Sequence, residues 1–139
     1  MSSEFSPEMS EMIISNLIHN PEYFIKVFHH LEPKYFADGS AYRDIFSVVS
    51  EHYKKYEARP TKLAISLELD SYGLPQDRHY NAKDILTNLR PIEGQDLDVM
   101  IKMTETYIKK LAYYLTIADI VEIYDNEKKS PEQRNHRLP

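Results

Sequence analysis

The stretch from Asp96 to Glu127, DLDVMIKMTETYIKKLAYYLTIADIVEIYDNE, decides how this chain folds. Met100, Met103, Tyr107, Leu111, Tyr114, Ala118 and Val121, with Asp125 closing the row, recur at the spacing of one helical stripe close to a heptad repeat. Asp96 stands where an N-cap belongs. About thirty residues rising 1.5 Å each make a rod of ~45 Å. The rest of a 139-residue chain, with a radius of gyration near ~14 Å, is too small to cover such a rod. The near half is therefore expected to pack on a head through Met100, Met103 and Tyr107. The far half, with Tyr114, Ile117, Val121 and Tyr124, is expected to lean on a second helix or another chain.

Upstream of the rod the signals are again helical. A stripe of Met9, Met12, Ile13, Asn16 and Leu17, widened by Ile14 and Ile18, opens the pattern. Asn20-Pro21-Glu22 then reads as a cap, a first-turn proline and a first-turn acid. Phe24, Val27, Phe28 and Leu31 follow on one face, up to Pro33. After Asp38-Gly39-Ser40 a third helix carries Tyr42, Ile45, Phe46, Val49 and Tyr53 to about Tyr56, and Arg59-Pro60 stops it. Residues 61 to 70 alternate like a strand, but no second strand offers a partner, so a short helix capped by Thr61 and packed through Leu63 and Leu67 is expected, with Gly73 as its stop. Tyr80 and Ile85 resemble a hydrophobic staple around an Asn81 cap, starting a helix that ends before Pro91. The fold class expected is all-α: a compact five- or six-helix head followed by one long helix, the first half of a helical hairpin. Residues 1–7 are expected to be disordered, 8–94 to form the head, 95–127 the long hairpin helix, and 128–139 a turn or linker toward a second helix.

Composition narrows the function. Leu, Ile, Val and Phe make up about a quarter of the chain, enough for a core. There are no cysteines, which removes disulfides, thiolate metal sites and cysteine nucleophiles. Lys and Arg number 17 against 22 Asp and Glu, a net charge of −5, which disfavours a domain built to hold nucleic acid. Glycine occurs only at Gly39, Gly73 and Gly94, so neither a phosphate-cradling loop nor a dinucleotide fingerprint exists here. No apolar run approaches the roughly 18 residues of a membrane span, and the first residues lack a signal-peptide pattern, so a soluble intracellular protein is expected.

No catalytic, cofactor or metal site is expected. His29-His30 is the most metal-like pair, but neighbours on a helix point about 100° apart and rarely reach one ion. His79 with Asp77 or Asp84 could form a base and its orienter, yet no nucleophile accompanies them. Most tyrosines, Tyr42, Tyr53, Tyr107 and Tyr114 among them, sit at core spacing rather than in a basic stacking groove. Lys54-Lys55 and Lys109-Lys110 read as solvated helix faces. Tyr113 and Tyr114 are adjacent, so one should be exposed on the rod, which suits a protein interface. The interface candidates are Tyr113, Tyr114, Ile117, Val121 and Tyr124.

The order of elements resembles a family. Glu11-Met12-Ile13-Ile14-Ser15-Asn16-Leu17-Ile18, then Asn20-Pro21-Glu22-Tyr23-Phe24, Leu31-Glu32-Pro33-Lys34-Tyr35-Phe36 and Tyr42-Arg43-Asp44-Ile45-Phe46 are similar to the opening of DnaB-family replicative helicases. Arg59-Pro60-Thr61 with Leu63 and Leu67-Glu68 resembles a later segment of that family, and Tyr107-Ile108-Lys109-Lys110-Leu111-Ala112 its first hairpin helix. Ser130-Pro131-Glu132-Gln133-Arg134-Asn135 resembles the hairpin turn of T-even-type phage helicases. The resemblance implies a non-catalytic N-terminal domain, cytoplasmic (in the host, if phage-encoded), that regulates ring assembly. Its partners would be other helicase subunits, primase and a helicase loader, without strong nucleic-acid binding and without a membrane. ATP and magnesium would belong to an ATPase domain that this chain lacks. The alternative reading is a free-standing all-helical adaptor or regulator.

Overall fold

The computed structural model describes residues 4–128. Its elements are α1 (Pro7–His19), α2 (Pro21–Val27), α3 (Ala41–Tyr56), α4 (Lys62–Asp70), α5 (Gln76–Asn88) and α6 (Leu97–Glu127), with single 3₁₀ turns at Phe28–His30 and Pro33–Tyr35. No strand occurs among the described residues, and the fold is all-α as expected. The hairpin-turn motif at 130–135 lies outside them.

Side-chain caps begin most helices. Ser6, Asn20, Ser40 and Thr61 each accept the backbone N–H three residues on, at 3.0–3.2 Å, and Asp96 accepts that of Asp98 at 3.3 Å. Each satisfies a donor that the first helical turn would leave orphaned. Gly39, at φ +77°, makes the left-handed step that brings Ser40 into place.

The core is aromatic at its centre. Phe24 stacks on Phe28 (centroids 4.5 Å apart), and Phe46 lies between Phe28 (5.9 Å) and Phe36 (5.0 Å). Around them close Ile13, Ile14 and Leu17 of α1, Ile45 and Val49 of α3, Ile65 and Leu69 of α4, and Leu86 of α5.

The near half of α6 is sewn to this head by polar contacts. Thr104 donates to the Met100 carbonyl (2.8 Å), which leaves its oxygen to accept the Tyr23 hydroxyl at 2.6 Å in a fully buried pair. Burial pushes the Tyr23 phenol well above the ordinary tyrosine range, with the Thr104 bond opposing. Asn16 reaches the Met12 carbonyl and the Met100 sulfur. Tyr23→Phe is expected to cost about 1 kcal/mol, and Thr104→Val more, about 1–3 kcal/mol, because the second change orphans a buried donor. Urea unfolding of the two variants checks the order; equal costs would contradict it.

Several expectations are corrected. Ser6 caps α1 and donates its N–H to the Tyr107 hydroxyl (2.8 Å), so this part of the 1–7 segment is tied down. The α2 helix ends at Val27, and a 3₁₀ turn carries the chain on to His30. In α4 the buried face is Ile65 and Leu69, while Leu63 and Leu67 point outward. The Asn81 cap is wrong. Pro75 precedes the first turn of α5, the His79 N–H closes on its carbonyl at 2.8 Å, and Asp77 favours the positive helix end, leaving Tyr80 exposed. Met103 is exposed too; Met100, Ile101, Thr104 and Leu111 are the buried residues of the near half, and Tyr107 packs half-buried against the core as expected.

Candidate interaction surface

The near half of α6 spends one face on the head through Met100, Thr104 and Leu111, all under 4% exposed. At about 100° per residue these three share one side of the helix, centred roughly a third of a turn from Ile117. Beyond Leu111 the apolar residues change sides. Tyr113, Ile117, Ile120 and Tyr124 follow at i, i+4, i+7 and i+11, and Tyr114 and Val121 flank them. All six are exposed, from 37% at Tyr114 to 72% at Tyr113. Asp119 and Glu122 lie on other sides of the helix. This stripe is contiguous, unlike singly scattered surface apolar residues, and has no cover within the described chain.

The five residues singled out in the sequence therefore sit together on the outer rod. Tyr114 is not in the core despite its spacing, whereas Tyr42, Tyr53 and Tyr107 are half-buried against it. Ile120 is a sixth member that a strict heptad row through Tyr114 and Val121 passes over; counting from Tyr113 finds it. Lys128 Nζ stands 4.8 Å from the Tyr124 ring centroid, a cation–π contact at the end of the stripe.

His29 and His79 serve packing and hydrogen bonding between elements. His29 sets its edge against Phe28 and Tyr53, with centroids 5.4 Å from each, and His30 is exposed. No group of three or more His, Cys, Asp or Glu suited to a metal occurs among the described residues. His79 meets neither Asp77 nor Asp84. Its Nε2 is 2.9 Å from Asp70 of α4, where Lys83 also arrives at 2.8 Å, so the pair staples α4 to α5. These two partners hold the exposed Asp70 carboxyl below its usual range. Lys109 and His30 border a cleft of about 380 Å³ between α2 and α6, floored by Val27, Leu31 and Ile108.

His19 is held below its ordinary pKa, first by burial and then by Lys62, Arg59 and Arg90, against a raising contact to the Ser15 carbonyl (2.9 Å). A lowered folded-state pKa means that the unfolded chain takes up the proton first. Stability is therefore expected to fall as pH drops from about 6.5 toward the lower folded value. His19→Gln should flatten that stretch of a stability–pH profile measured by urea unfolding; an unchanged slope would contradict it.

No family model matches the chain, and no helix among the described residues is long and apolar enough to cross a membrane. Among curated proteins, it is 28% identical over 131 residues to the DnaB-like replicative helicase of Enterobacteria phage T4. That alignment takes in 94% of this chain and 27% of the relative's length. The resemblance to phage-type DnaB-family replicative helicases, read in the helices from Glu11 to Ala112, is thus borne out along nearly the whole chain.

Proposed function

We propose that this chain is the non-catalytic N-terminal domain of a phage-type replicative helicase, serving ring assembly and the docking of primase or a helicase loader in DNA replication. The observation that carries the reading is the exposed apolar stripe on the outer half of α6, in a chain similar along its length to about a quarter of a replicative helicase. A rod whose outer half turns seven large apolar side chains to water, six of them in this stripe and Ile123 apart from it, is suited to a second hairpin helix and a neighbouring subunit. ATP and magnesium chemistry belongs to the parent protein's ATPase domain, and the site of action is the cytoplasm in which replication proceeds.

Removing residues 1–128 from the helicase-length protein tests this. The remainder should still hydrolyse ATP but lose hexamer formation at low concentration and lose primase binding. Undiminished assembly together with undiminished primase binding would refute the reading. The chain alone is expected to show no ATP hydrolysis and no nuclease activity with magnesium or zinc. It should bind single-stranded DNA only near the non-specific range, about 10⁻⁴ M or weaker. Sub-micromolar binding by fluorescence anisotropy at physiological salt would contradict that expectation.

A further inference from the structure

Where the end of α1, the start of α4 and the end of α5 meet, the head gathers positive charge that it does not neutralise. Arg59 donates to the Ile18 carbonyl. Lys62 Nζ donates to the carbonyls of Thr87 (3.2 Å) and Leu89 (2.9 Å), and Arg90 Nη1 donates to the same two at 3.0 Å each. His19 feels all three cations, and Lys62 is itself held below the usual lysine range by burial and by Arg90.

Carbonyls at helix ends attract cations, which accounts for each contact singly. It does not account for the gathering. None of Arg59, Lys62 and Arg90 has a carboxylate within 4.0 Å among the described residues, although acids outnumber bases 22 to 17 in the chain. Elsewhere on the head Lys34, Arg43, Arg78 and Lys83 find carboxylates (Glu32, Asp38, the buried Asp44 and Asp70), and Lys26, Lys54 and Lys55 have none within 4.0 Å among the described residues. What sets Arg59, Lys62 and Arg90 apart is that the three gather round one set of helix-end carbonyls. A guanidinium carries five donors, and only Nη1 of Arg59 and of Arg90 is engaged here.

The same corner carries uncovered apolar surface. Leu63 follows Lys62, and Leu67 stands one turn further along α4; they are 68% and 60% exposed. Ile65 and Leu69 already fill the core side of this helix, so the leucine pair has no partner within the head. The pairs Lys62–Leu89, Lys83–Ser66 and His79–Asp70 show that α4 and α5 run antiparallel. The leucines thus extend away from the cationic corner along the head's outer wall.

We infer that this corner docks an acidic, apolar segment of another protein, with its carboxylates on Arg59, Lys62 and Arg90 and its apolar side chains on Leu63 and Leu67. Charge complementarity favours a protein segment over nucleic acid. Two leucines give a base no aromatic ring to stack on, and their exposed surface suits apolar side chains, which a sugar-phosphate backbone does not offer. The surface is separate from the outer rod and stands whether or not the rod associates.

A fluorescein-labelled peptide of repeating Glu-Leu-Leu-Glu units is the probe, titrated into the full chain by anisotropy. Arg90→Glu and the double change Leu63→Gln with Leu67→Gln lie at the exposed corner, and circular dichroism confirms that each folds. Either change is expected to weaken the peptide about tenfold, and added salt should weaken it further. The Lys-for-Glu version of the peptide should not bind. No binding of the acidic peptide, or equal binding to the original chain and both variants, would overturn the inference. Labelled oligo-dT binding more tightly than the peptide, and lost in Arg90→Glu, would also overturn it in favour of a nucleic-acid surface.

Discussion

Phe46→Ala should cost about 3–5 kcal/mol of folding stability and lower the melting temperature by roughly 10–20 °C. Phe46 is 1% exposed and contacts the rings of both Phe28 and Phe36. Phe28 opens the first of the two turns that link α2 to α3 and Phe36 directly follows the second, so the cavity opens where the chain has no regular helix to hold its shape. Neighbouring rings cannot collapse inward without disturbing the Phe24–Phe28 stack. Tyr80→Ala on exposed α5 is the matching control, expected within about 0.5 kcal/mol of the original. Thermal and urea unfolding measure both. A Phe46→Ala loss as small as that of the control would mean that the aromatic cluster is not the centre of the core.

The second large effect is expected on assembly rather than folding. Ile117→Glu together with Val121→Lys puts two charges one turn apart in the middle of the outer stripe, between Tyr113 and Tyr124. Both positions are about half exposed, so the head should melt as before. In the helicase-length protein, replacing two apolar contacts by charges that must be desolvated against a partner helix, even paired with each other across one turn, should weaken association by more than tenfold. Sedimentation velocity across a concentration series reads this directly. Unchanged assembly with an unchanged melting temperature would move the interface off α6.

Much of the fold was legible because it rests on local chemistry. The caps at Asn20, Thr61 and Asp96 announce themselves in the sequence, and their bonds involve only the following turn. What was not legible is which side of a helix the rest of the molecule covers. On α4, Leu63/Leu67 and Ile65/Leu69 are equally good apolar pairs, and only the placement of α3 and α5 chooses the second. On α6, the heptad row was legible, and its members Met100 and Leu111 do enter the head together with Thr104 from beside the row, but Met103 and Tyr114 of the same row are exposed. Thr104 looks polar in the sequence and is buried because Tyr23 reaches it from α2, eighty-one positions away. The start of α5 was misplaced for the opposite reason: the Tyr80–Ile85 staple pattern competed with the simpler signal of Pro75. The exposed stripe on the outer rod was foreseen in position, from the length of the helix against the size of the head, but not in its exact membership, since Ile120 lies off the heptad row.

The most direct measurement of the central claim uses the absence of cysteine from this chain. A nitroxide label attached at Ile117→Cys in the helicase-length protein, with any other cysteines removed, reports by electron paramagnetic resonance whether that face meets another helix. A label at Tyr80→Cys on the head serves as reference. The account predicts that the label at position 117 becomes immobilised and inaccessible to water-soluble relaxation agents as the protein assembles, while the label at position 80 stays mobile. A label at position 117 that remained as mobile and accessible as the reference in the assembled protein would contradict it.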